Sequence, residues 1–224
     1  MAHLKSVNVG GSGPNPAGGA RPSGMLKTPT PDPLLLRDPG AKRGGEGSGV
    51  VGDFVGDRRH HGGTYQAVYA VAREELDHWA AEIGRELADG AFGENLTTVG
   101  LDVDDARLGE IWRVGPVVRL RVTGPRVPCS TFAAAMGEQR WVKRFTTRGR
   151  TGAYLSVLTP GEVRAGDEIV IEHRPTHGVT VPMSFRAWTT ARHTLPDLLA
   201  AGEDLSPEFV DQIRDYQAGR SPRE

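Results

Sequence analysis

Val118-Arg119-Leu120-Arg121-Val122-Thr123-Gly124-Pro125-Arg126-Val127-Pro128-Cys129-Ser130 carries a strand, a stiff loop and the start of a helix in one stretch of chain. Val118, Leu120 and Val122 point one way, and Arg119, Arg121 and Thr123 the other. That alternation is the mark of a half-buried β-strand. The prolines at 125 and 128 hold the following loop stiff and remove competing backbone donors. The run Ser130 to Met136 reads as a helix with Ser130 as its N-cap, which places Cys129 at the positive end of that helix. A thiol in that position beside Arg126 favours the nucleophilic thiolate. Cys129 is the only cysteine in 224 residues and does not lie inside a continuous apolar run. A buried cysteine acting as a small hydrophobe is the competing reading.

Working outward, more short strands come into view. Gln66 to Val71, Ala153 to Leu158 and Glu168 to Glu172 read as strands, with Pro160-Gly161 and Ala165-Gly166-Asp167 as turns beside them. Ser6 to Val9 and Leu34 to Leu36 are short apolar patches that suit strands at the edge of a barrel. The segment from 10 to 50 is otherwise loop-rich in Gly and Pro. Ala72, Leu76, Trp79, Ala80, Ile83 and Leu87 recur at helical spacing, so a helix is expected to run to near Gly90. Gln139 to Phe145 begins a basic amphipathic helix with Trp141 and Phe145 on one buried face. The tail is helical in pattern: Phe185 to Leu199 is apolar at helical spacing, and Ser206-Pro207 is an N-cap followed by proline at the first helical position. The reading is a mainly β, α+β chain: a β-barrel with helical insertions over 1–178 and a small helical appendage over 179–224.

Composition narrows the class. With 25% charged and 38% hydrophobic residues the chain is an ordinary globular one, and 30 glycines with 16 prolines favour many turns. A formal net charge of -1 gives no pull toward a nucleic-acid polymer. One cysteine forms no internal disulfide, which fits a reducing compartment. The first residues lack the apolar stretch of a signal peptide, and no apolar run is long enough to cross a bilayer. A cytoplasmic location without membrane attachment is therefore expected by default.

Two further clusters carry chemistry. Asp57-Arg58-Arg59-His60-His61-Gly62-Gly63 sets arginine forks and histidines beside paired glycines whose N–H groups could meet an anion. In an extended run His60 and His61 would face opposite sides. A solvated basic turn is the alternative. Phe92-Gly93-Glu94-Asn95-Leu96-Thr97-Thr98 sets an acceptor, Glu94, beside an amide, Asn95, and is equally readable as a turn capped by its own asparagine. Neither has metal-ligand spacing. No phosphate-binding glycine loop of nucleotide type and no serine nucleophile elbow is present.

These segments together resemble the MOSC domain, the module named after the C-terminal part of molybdenum cofactor sulfurases. They are most like the stand-alone bacterial members linked to resistance against hydroxylaminopurine. The resemblance runs through Ser6-Val7-Asn8-Val9, Gly24-Met25-Leu26-Lys27-Thr28-Pro29, Gly56-Asp57-Arg58, His60-His61-Gly62-Gly63, Gln66-Ala67-Val68-Tyr69, Phe92 to Thr97, Gly109-Glu110-Ile111-Trp112-Arg113-Val114-Gly115 and Pro125 to Cys129. It implies a barrel with a loop cysteine beside a basic pocket. Cys129 would bind or carry sulfur, or ligate molybdenum, as the catalytic and metal-contacting residue. Lys27, His61 and Arg126 match the basic pocket, and Arg58, His60, Glu94 and Asn95 join them as candidate cofactor contacts. The implied cofactor is the molybdenum cofactor, a molybdopterin held by its phosphate. Pyridoxal phosphate is not expected, because the domain that carries it in full sulfurases has no room in this chain.

Two functions follow from that resemblance. One is a molybdenum-dependent oxidoreductase that reduces N-hydroxylated bases or related compounds. Its electrons would come from an external flavin or iron-sulfur reductase, since one cysteine cannot hold an iron-sulfur cluster. The other is a non-enzymatic carrier of sulfur or molybdenum cofactor, with Cys129 as persulfide or ligand and a cofactor-accepting protein as partner. A homodimer is compatible with either.

Overall fold

The computed structural model describes residues 1–220, so the last four residues of the expected 179–224 appendage lie outside the described part. The strands and helices follow in chain order: β1 (His3–Val9), β2 (Thr28–Pro29), β3 (Leu34–Leu36), β4 (Val68–Ala72), α1 (Arg73–Ile83), β5 (Leu96–Val99), β6 (Ile111–Val114) and β7 (Val118–Pro125). Then come α2 (Ser130–Met136), α3 (Trp141–Arg148), β8 (Ala153–Thr159), β9 (Gly161–Val163), β10 (Ile169–His173), α4 (Val181–Thr189) and α5 (Pro207–Gln217). A 3-10 segment, Arg192–Asp204, joins α4 to α5 and is kinked at Gly202.

Eight strands form one sheet in the order β10-β6-β7-β8-β4-β5-β1-β2, and β3 pairs with β9 in a separate two-stranded ribbon. All pairings are antiparallel except β4 with β5. The expected barrel is thus a strongly mixed α/β architecture whose large sheet has ends. It is not closed by a full ladder. The two flanks meet only at an isolated bridge, His3 with Glu168, supported by backbone bonds from Leu4 N–H to Asp167 and from Ile169 N–H to Ala2. Ala165-Gly166-Asp167 turns the chain just before β10, which leaves few residues free to extend the seam.

β7 keeps the alternation read from sequence. Val118, Leu120 and Val122 are fully buried, while Arg119 pairs with Glu172 and Arg121 with Asp204. The inner face belongs to a core that also takes in Val181, Ala187, Leu195, Leu198, Ala201 and Ile213 from the C-terminal helical segment. A second core, nearly all aromatic, joins α1, α2 and α3: Trp79, Phe92, Phe132, Trp141 and Phe145 pack with ring centroids 4.6 to 6.3 Å apart. Tilted and edge-on pairs of this kind add about 0.5–1.5 kcal/mol each beyond their buried area.

Two helix limits differ from expectation. α1 ends at Gly84, which takes the left-handed conformation and donates its N–H to Ala80. Leu87 is buried but stands outside the helix, so its spacing was a coincidence of packing. α2 begins at Ser130, but its N-cap is Cys129 itself, and no side chain caps it. α5 follows the sequence closely. Ser206 Oγ accepts from Phe209 N–H at 3.2 Å and Pro207 occupies the first turn.

Candidate functional site

A cavity of about 1070 Å³ opens between the C-terminal end of β7, the loop segments around residues 22–66 and the helices α4 and α5. The β7–α2 loop delivers Arg126 and Cys129 to its wall, and Lys27, His60, His61 and Asn95 reach it from elsewhere in the chain. Arg58 and Glu94, the other two candidate contacts, do not border it.

Arg126 is the central feature. Only 7% exposed, it donates to the Phe92 carbonyl and lies 3.2 Å from Met25 Sδ. Its guanidinium stacks over Tyr69 at 4.9 Å and Phe132 at 4.3 Å from the ring centroids. Among the described residues it has no carboxylate partner within salt-bridge distance. A guanidinium does not lose its proton in proteins, and burying an uncompensated charge is costly. Aromatic faces recover part of that cost. The remainder favours an anion in the cavity.

Lys27 is handled differently. Its ammonium is buried against Asp53, and that carboxylate also accepts from Gly10 N–H at 3.0 Å, Ser48 Oγ at 2.8 Å and Asn95 Nδ2 at 3.1 Å. Burial pulls the Lys27 ammonium below its usual value, and Asp53 opposes that pull. Asn95 Oδ1 in turn accepts from Tyr69 N–H at 3.2 Å. Asn95 is therefore a strut between β4 and the Lys27–Asp53 pair, with an edge on the cavity.

His61 is pushed down to about 4, first by burial and then by the positive charge of Arg126. At neutral pH it presents a neutral imidazole. His60 is exposed and lies 3.1 Å from Asp57 through Nδ1. Both histidines border the cavity, against the expectation of opposite faces, because residues 58–60 form a turn and not an extended run. The paired glycines behave differently from expectation too. Gly62 N–H donates to Gln66 Oε1 and Gly63 N–H to the Gly47 carbonyl, so neither donor is free for an anion. Their positive φ angles serve close packing: a Cβ on Gly62 would sit 2.4 Å from the Gly47 oxygen, and one on Gly63 2.7 Å from Lys42 N.

Glu94 is fully buried and holds its own loop. It accepts from Gly90 N–H, Phe92 N–H and Thr97 Oγ1, and burial pushes its carboxyl up to about 7. Its contribution to the cavity is indirect, since that loop offers the Phe92 carbonyl to Arg126. Arg58 donates to the Gly45 carbonyl at 3.0 Å on the exposed side of the loop.

Three contributors escaped the sequence reading. Asp53 had no motif around it; the signal was a lysine destined for burial, which needs a counter-charge. Trp188 of α4 and Phe209 of α5 also line the cavity, 5.0 Å apart, and periodicity alone does not say which neighbour a helix face meets. Cys129 is partly buried and borders both the aromatic core and the cavity. Among the described residues no group of three or more His, Cys, Asp or Glu could hold a metal ion. A metal at Cys129 would have to bring its other ligands with it.

A mixed sheet that presents one thiol and one unpaired buried guanidinium to a large cavity defines a class of small-molecule binding protein. Residues 57–170 match the MOSC domain, and the chain belongs to that family. It is similar to the uncharacterized protein YflK of Bacillus subtilis, 30% identical over 73% of this chain and 70% of that one. It is also similar to YiiM of Escherichia coli, 27% identical over 75% of this chain and 72% of that one. A protein of Gibberella moniliformis named "Reductase" is 36% identical over 57% of this chain, which spans only 23% of that much longer relative. The fold matches the crystal structure of YiiM from Geobacillus stearothermophilus with a TM-score of 0.75 and 24% identity, covering 96% of this chain and 98% of that one. No helix of the described residues is long and apolar enough to cross a membrane.

Proposed function

We propose that this protein binds molybdenum cofactor in the cavity and reduces N-hydroxylated bases or related compounds, with electrons from an external flavin or iron-sulfur reductase. One observation carries the reading: Arg126 is a buried cation with no acid partner, on the same cavity wall as the sole thiol. The residues present suit the group. Arg126, with Lys27 close behind it and neutral His61 as a hydrogen-bond partner, would hold the phosphate of the pterin. Cys129 would give the metal a soft, charge-donating thiolate. The dithiolene of the cofactor would supply the ligands that the chain lacks. When bound, the cofactor supplies two-electron chemistry at the metal.

The net reaction is R–NH–OH + 2 electrons + 2 protons → R–NH2 + H2O, in which the N–O bond breaks and the oxygen leaves as water. The chain's own part is to bind, orient and enclose. Arg126 and the Lys27–Asp53 pair fix charge at one side of the cavity, and the helices α4 and α5 cover the other and limit water. The family and a relative named as a reductase support molybdenum-cofactor chemistry in general; the substrate is this article's reading.

A second reading shares the same residues. Cys129 has no disulfide partner, so it could hold sulfur as a persulfide and pass it, or the cofactor, to an accepting protein. Metal analysis of freshly purified protein separates the two. Stoichiometric molybdenum, with reductase activity that disappears in Cys129→Ser while the melting temperature stays, supports the enzyme. A labile sulfur on Cys129 without metal supports the carrier, and full activity in the serine variant removes Cys129 from the mechanism.

A further inference from the structure

The cavity has two chemically distinct sides. One is the cationic side with Cys129. The other is built by the helical segment: Trp188 and Phe209 pack at 5.0 Å with a 44° tilt, and Gln212 stands one turn along α5 from Phe209. Phe209 is pressed against β7 at Gly124, where an added Cβ would come 3.2 Å from its ring, two residues before Arg126. The aromatic wall is thus fixed close to the charged side in the same enclosure. Trp79, Trp112 and Trp141 are sealed in the cores, whereas Trp188 is only partly buried and borders the cavity. Its indole Nε1 is enclosed and has no hydrogen-bond partner among the described residues. Trp188 and Gln212 also border a recess of about 200 Å³, which leaves room behind them to turn.

We infer that Trp188, Phe209 and Gln212 form the subsite for the substrate, and that it takes a flat, conjugated heterocycle with hydrogen-bonding edges. The inference rests on the reading of the cavity as a reductase site and names the part of it that selects the substrate. The physical reasons are complementary. An aromatic wall gains from the face of a flat ring whatever its substituents. The Gln212 amide offers a donor and an acceptor to the ring edge. A turned Trp188 would give its unmet N–H to a ring nitrogen or carbonyl. An aliphatic hydroxylamine has no such face and would gain nothing from this wall. The charged side leaves no role for a neutral ring, so the two ends of the cavity divide an anion from a heterocycle.

The test uses the purified full chain and adenine as the probe, because binding can then be read without turnover. Adenine should quench the fluorescence of the wild type through Trp188 and bind measurably by calorimetry. Trp188→Ala should weaken binding by roughly tenfold, and Trp188→Phe, which keeps a ring and loses the donor, by roughly fivefold. Molybdenum content should not change in either variant, and KM for a small aliphatic hydroxylamine should stay the same while KM for a heterocyclic one rises. No adenine binding in a folded wild type, or unchanged affinity in both variants, overturns the subsite. Loss of molybdenum content in Trp188→Phe assigns the wall to the ring of the cofactor and overturns it too. If the wild type binds adenine through Trp188 but reduces nothing, the subsite stands and the reductase reading fails.

Discussion

Two places in the molecule bury charge, and they resolve it in opposite ways. On α1, Glu75 is 2% exposed and accepts from Arg148 at 2.9 Å through both carboxylate oxygens and from Arg150 at 3.1 Å. Arg150 continues to Asp102 at 2.6 Å, and Asp104 beside it accepts from Thr151 and Gly152 N–H. That cluster answers each charge with one of opposite sign. At the cavity Arg126 is equally enclosed, yet meets aromatic faces, a thioether and one carbonyl. A closed network is a structural tie between α1 and the α3–β8 connection. An open one leaves a charge waiting for a ligand.

The largest effect should come from breaking the closed cluster. Glu75→Ala strands two arginines at a buried edge and should cost about 3–5 kcal/mol of stability, read by denaturant unfolding, with ligand affinity in the cavity intact. Arg126→Met should do the reverse. Removing an uncompensated buried cation relieves its desolvation, so the melt should shift far less than in Glu75→Ala. Affinity for a phosphate-bearing pterin should fall by about 1.5–3 kcal/mol, or roughly ten- to a hundredfold. If Arg126→Met unfolds the protein and Glu75→Ala does not, the contrast between the two clusters is wrong.

The smallest effect concerns His61. Its folded value of about 4 lies below the ordinary value of 6.5, so the native state binds fewer protons than the unfolded chain between those limits. Stability from this group is therefore complete above the ordinary value and is lost as pH falls toward the folded one. Going from about pH 7 to about pH 5.5 should cost the wild type about 1 kcal/mol more than His61→Gln. Parallel unfolding curves for the two proteins at both pH values would show that His61 is not held neutral beside Arg126.

Much of the strand and helix plan was legible because it follows local periodicity. The alternation of β7, the Trp141–Phe145 face of α3 and the Ser206-Pro207 start of α5 are each decided by near neighbours in sequence. The site was legible in part, through Arg126 and Cys129, which share one stiff loop. Glu94 and Arg58 were misplaced because a motif gives residue types and not the direction a side chain takes. Asp53 was invisible, since its pairing with Lys27 is created by tertiary folding across 26 residues. The free donors expected of Gly62 and Gly63 failed for a related reason: backbone groups at a crowded crossing find partners that no local rule predicts.

The seam between His3 and Glu168 has a consequence for how the chain is made. A ribosome releases the first strand long before its distant partner. At about 5–20 residues per second the interval for 165 residues is on the order of 10–30 s. Until then β1 can lean only on β5, which itself needs β4, and β4 waits for β8 near the end of the chain. The nascent protein therefore passes through a period with exposed strand edges, and a stalled or slowed ribosome would lengthen it. Yield in a cell should depend on chaperone capacity during synthesis more than on the stability of the finished molecule.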